Sequence, residues 1–135
     1  MINKLSLEIH NNAKSKGFYE GEKNIGEMLC LIHSEVSEAL EADRKGRYAD
    51  LKTFIQREKQ IIESYNLTSP VSNLTTEDFD NIFKAKIKDT FEDELADIVI
   101  RVMDLASFKG IDLEKHIELK MKYNSTRGYK HGKKY

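Results

Sequence analysis

Apolar residues recur every three or four positions along this chain, and no stretch alternates apolar with polar. That period belongs to one face of a helix, whereas strands repeat every second residue, so the pattern predicts an all-α fold, a helical bundle. Ile2, Leu5, Ile9 and Ala13 mark a first helix over residues 2 to about 15, closed by Gly17 where a left-handed residue is favoured. Asn24 is placed to cap a second, in which Ile25, Met28, Leu29, Ile32, Val36, Ala39 and Leu40 recur until Gly46. A third runs from Leu51 to Tyr65 and ends in NLTSPVSNL, where Pro70 and small polar residues forbid continuation. Thr75 caps a segment with Phe79, Ile82, Phe83 and Ile87 on its stripe, and Thr90 is placed to cap another ending at Gly110; the pattern leaves open whether these are one helix or two. A last helix opens at Asp112 and reaches about Ser125.

With 135 residues the chain is expected to form a single domain, 1–135. The lone Cys30 has no internal disulfide partner and, between Leu29 and Leu31, is expected to pack in the core. No apolar run approaches the roughly 20 residues of a membrane span, and MINKLSLEIHNNAKSKG lacks a signal-peptide core, so a cytoplasmic protein without membrane contact is expected. The net charge of −1 hides an asymmetry: residues 120–135 carry six cations and no acid, leaving about −7 on the remainder. One basic end on an acidic body, at a pI near 6.4, argues against a nucleic-acid binder.

The acids of two helices stand where solvating acids are rarely written. Residues three apart share a helix face, so Glu35 and Glu38 are stacked one turn apart, and Glu35 falls between Met28 and Ala42 at the margin of the apolar arc. Glu94 and Asp97 repeat the spacing on a helix whose Phe91, Leu95, Ala96, Ile98, Val99, Ile100, Val102 and Met103 cover most of its circumference, so that helix is expected to be largely buried. Its polar remainder is the stripe Glu94, Asp97, Arg101 and Asp104. Either motif alone is commonplace in helices of this composition. Both together, in apolar surroundings, call for a cation, because unpaired charges in a partly dry site cost several kcal/mol each. Carboxylate oxygens without Cys or paired His suit Mg2+ or Mn2+ rather than zinc, and such sites leave room for water and phosphates. A third element is the basic end, KMKYNSTRGYKHGKKY, in which Lys120, Lys122, Asn124 and Arg127 cluster as polyphosphate ligands, with Tyr123 or Tyr129 able to stack on a base. His10, His33 and His116 show no ligand spacing and read as structural or exposed; His131 stays open as a phosphate neighbour.

In that order, HSEVSEALEA, DELADIVIRVMDLA and KMKYNSTRGYKHGK resemble the MazG-like branch of the all-α nucleoside triphosphate pyrophosphohydrolases, over residues 24–46 and 91–134. The resemblance implies a MazG-like helical bundle that hydrolyses a nucleoside triphosphate, a deoxy one in many such proteins, to the monophosphate and pyrophosphate. It implies Mg2+ held by Glu35, Glu38, Glu94 and Asp97, with Lys120, Asn124 and Arg127 binding the phosphate, sugar or base. It also implies a homodimer or homotetramer. Two features depart from the pattern. Ser34 stands where some relatives have a second acid, which leaves the general base open among Glu38, Glu41 and a metal-bound hydroxide. Residues 47–89 form an insertion, with an extra helical segment, between the two carboxylate helices, and residues 126–135 are a basic tail. The alternative is a non-catalytic helical module that keeps the fold and binds nucleotide or a protein partner.

Overall fold

A computed structural model describes residues 1–66 and 74–129. Among them every regular element is a helix: α1 (Ile2–Ser15), α2 (Ile25–Arg44), α3 (Leu51–Asn66), α4 (Thr76–Lys86), α5 (Phe91–Phe108) and α6 (Leu113–Ser125). None is long and apolar enough to cross a membrane. The loop around Pro70 and the tail beyond Tyr129, with His131, lie outside the described residues.

The helix ends follow from side-chain chemistry. Asn24, Thr75 and Asp112 each accept from a backbone N–H of the following first turn, at 3.2, 3.1 and 2.9 Å respectively. Gly17 and Gly110, at φ +82° and +64°, turn the chain out of α1 and α5 through the left-handed region. The open question between residues 75 and 110 resolves as two helices: Asp89 adopts φ +58°, and Thr90 restarts the chain as α5. Glu92, Asp93 and Glu94 fill the first turn of α5, where the helix dipole favours negative charge.

The chain divides into two compact units, one of Met1–Cys30 with Val99–Tyr135 and one of Leu31–Ile98. In the first, α1 packs beside α6, and the Asn3 side chain donates to the Asp112 carboxylate at 2.8 Å while accepting from the Glu114 N–H at 3.1 Å. Asp104 joins α5 to α1 and to the loop after it: one oxygen meets His10 Nδ1 at 2.7 Å and the other accepts from the Tyr19 hydroxyl at 2.7 Å. His10 is buried, edge-on to Tyr19, and Phe108 packs against Tyr19. Burial first, and then the bond to Asp104, push the Tyr19 phenol well above its ordinary range.

In the second unit α3 packs on α4 through Phe54, Phe79 and Phe83, with ring centroids 6.0 and 5.8 Å apart, and the Tyr65 hydroxyl donates to Asp78. The buried apolar side chains of this unit are Ala39 and Ala42 on α2 and Ile82 on α4.

Two expectations are corrected. The α5 helix is not largely buried: Leu95, Val99, Ile100 and Val102 are 37–50 % exposed. Cys30 is exposed rather than packed, since at helical spacing it shares an arc of α2 with Glu27, Ser37 and Glu41 instead of with the leucines beside it in sequence.

Candidate metal centre

Glu35 and Glu38 project from consecutive turns of α2, and Glu94 from the first turn of α5. One oxygen of each lies within 4.8 Å of the other two. Glu35 shares a buried face with Ala39 and Ala42 and is 6 % exposed; Glu94 is 5 % exposed, while Glu38 opens to solvent. The Thr90 cap holds Glu94 in register, its backbone N–H donating to the Thr90 carbonyl at 3.0 Å. Burial, then the neighbouring charges of Glu38 and Glu35, with Asp93 and Asp97 adding to them, push the Glu94 carboxyl up to about 7.

That donor set fits a hard divalent cation. It offers oxygen alone, holds no thiolate or imidazole, and contains a buried acid beside two further carboxylates. Mutual repulsion of three carboxylates is what a bound cation removes.

Not every expected residue joins the cluster. Asp97, half-buried one turn beyond Glu94, lies outside the trio whose oxygens converge. Asp104, on the same predicted stripe, is engaged by His10 and Tyr19. Glu41 is held by Lys45 at 2.9 Å, and that bond keeps its carboxyl below the usual range, which makes it a poor proton acceptor. The Ser34 hydroxyl donates to its own helix at Leu31 O, 2.8 Å away.

Lys120, Asn124 and Arg127 are exposed on α6 and the turn after it, in the other unit. Lys120 and Arg127 both lie over the Tyr123 ring, at 5.3 and 5.7 Å from its centroid. Lys120 also lines an open groove of about 450 Å³ with His116, Ile117 and Met121.

Sequence reasoning missed two features. The His10–Asp104–Tyr19 network joins residues 94 positions apart, and periodicity carries no sign of it. Glu92, which the sequence pattern does not single out, accepts from the Ala49 N–H at 2.8 Å and so ties α5 to the chain leaving α2. No family model, curated protein or solved structure matches this chain.

Proposed function

We propose that Glu35, Glu38 and Glu94 hold Mg2+ or Mn2+, with Asp97 at the edge of the site, and that the chain hydrolyses a nucleoside or deoxynucleoside triphosphate to the monophosphate and pyrophosphate. The observation that carries this reading is the convergence of the buried Glu94 carboxylate with two further glutamates. A divalent ion in such a site supplies positive charge against the phosphates and lowers the pKa of a coordinated water. The protein's own part is to hold that charge in a mostly dry place, to release the Glu94 proton on loading, and to present Glu38 at the solvent edge. With Glu41 held by Lys45, Glu38 is the side chain best placed to accept a proton from water. Lys120, Asn124 and Arg127 take the phosphate, sugar or base in this reading, Arg127 through its planar fork of donors.

The test is pyrophosphate release from a panel of canonical and modified nucleoside triphosphates with Mg2+ or Mn2+, comparing wild type with Glu38→Gln and Asp97→Asn. Metal-dependent turnover that both substitutions abolish is the expected result. A chain that binds metal yet turns over no nucleotide is instead the non-catalytic module, a reading favoured by Ser34, whose hydroxyl is spent on its own helix.

The same proposal takes the chain as a homodimer or homotetramer. Leu29, Val36 and Leu40 on α2 and Leu95, Val99 and Val102 on α5 leave exposed apolar stripes at helical spacing. A second copy is the occupant that buries them.

A further inference from the structure

We infer that Glu92 is a positioning residue for the carboxylate cluster, setting through its bond to Ala49 how far Glu94 stands from Glu35 and Glu38. This rests on the metal-site reading above.

Within Leu31–Ile98, α3 and α4 pack on each other, and the ends of α2 and α5 are tied together by the chain that links them to that pair. Glu35 and Glu38 from α2 and Glu94 from α5 bring their oxygens within 4.8 Å of one another. Beside the cluster lies a clasp where the chain leaves α2 and returns to α5. Phe91 N–H donates to Arg47 O at 2.9 Å, Asp50 N–H to Lys86 O at 2.9 Å, and Ala49 N–H to Glu92 Oε2 at 2.8 Å. Lys86 and Asp50 add an ion pair at 3.8 Å, too long and too exposed to hold geometry. Of these, the Ala49 bond is the charge-assisted one, and its acceptor lies two residues from Glu94, about 3 Å along the helix axis.

Glu92 is exposed, so the bond adds little to stability. A small divalent ion is more demanding than the fold, because it needs near-ideal oxygen geometry at short distance. Loss of the clasp is therefore read in metal affinity before it is read in melting temperature.

Two substitutions separate reach from charge. Glu92→Asp keeps the charge and is one methylene too short to reach Ala49; Glu92→Gln keeps an oxygen acceptor at the right length and removes the charge. Binding of Mn2+ alone is measured from the electron paramagnetic resonance signal of the free ion, with thermal melting alongside. The expected result is that Glu92→Asp weakens Mn2+ binding about tenfold, that Glu92→Gln stays within about twofold of wild type, and that the three melting temperatures agree closely. Wild-type affinity in Glu92→Asp overturns the inference. So does equal weakening in both variants, which assigns the effect to charge. Wild type that binds no Mn2+ overturns the metal-site reading itself, and the inference with it.

Discussion

Glu94 carries the largest electrostatic cost in the cluster, and that cost has a sign. Its folded-state carboxyl, pushed up to about 7 from an ordinary 4.5, binds a proton more tightly in the native chain than in the unfolded one. The stabilisation from that proton is complete below the unfolded value and is lost as pH rises through the folded one. In metal-free protein the melting temperature should therefore fall by several degrees between pH 5 and pH 8, and Glu94→Gln should flatten that fall. Adding Mg2+ at pH 8 should restore wild type and leave Glu94→Gln unmoved, because a ligand stabilises only the state that binds it. Asp104 makes a second case. Tyr19→Phe removes one hydrogen bond, at about 1 kcal/mol, whereas Asp104→Ala strands both the buried His10 and the Tyr19 hydroxyl and should cost two or more times as much in urea unfolding. Sequence reading placed Glu35, Glu38 and Glu94 because an acid on an apolar arc is a local anomaly. It did not place the partners of Asp104, because a pairing across the fold leaves no mark in spacing.

The helices themselves were almost wholly legible, and the reason lies in their ends. Asn24, Thr75 and Asp112 cap where their side chains can accept from the following turn, and Gly17, Gly46 and Gly110 stop helices at positive φ. Gly110→Ala should destabilise by about 1 kcal/mol, since the added methyl meets nothing within 4 Å and the cost is the left-handed backbone alone. Thr75→Ala should cost a similar amount, about 1 kcal/mol, by removing the α4 cap; chemical denaturation of each variant measures both. The degree of burial was less legible than the period. An apolar stripe says that a face is to be covered, not whether the same chain covers it, and so α5 was expected to be buried where Leu95 and Val99 are about half exposed.

Among the described residues no large side chain is fully buried, which leaves the fold unusually dependent on its apolar stripes. Sedimentation at micromolar concentration should give a species at two or four times 15.6 kDa, and Val36→Lys or Val99→Lys should shift it toward the single chain; a wild type found only at 15.6 kDa would rule the assembly out. Length misleads at this scale too. Fifty-five residues separate Glu38 from Glu94 in sequence, yet their oxygens lie within 4.8 Å of each other. The chain departs at Arg47–Asp50 and returns at Lys86–Phe91, two stretches already joined backbone to backbone. Everything between is a detour with nearly coincident endpoints. Such a stretch can be lengthened, trimmed or exchanged by recombination while α2 and α5 stay where they are, so an inheritable change of size costs this architecture least there.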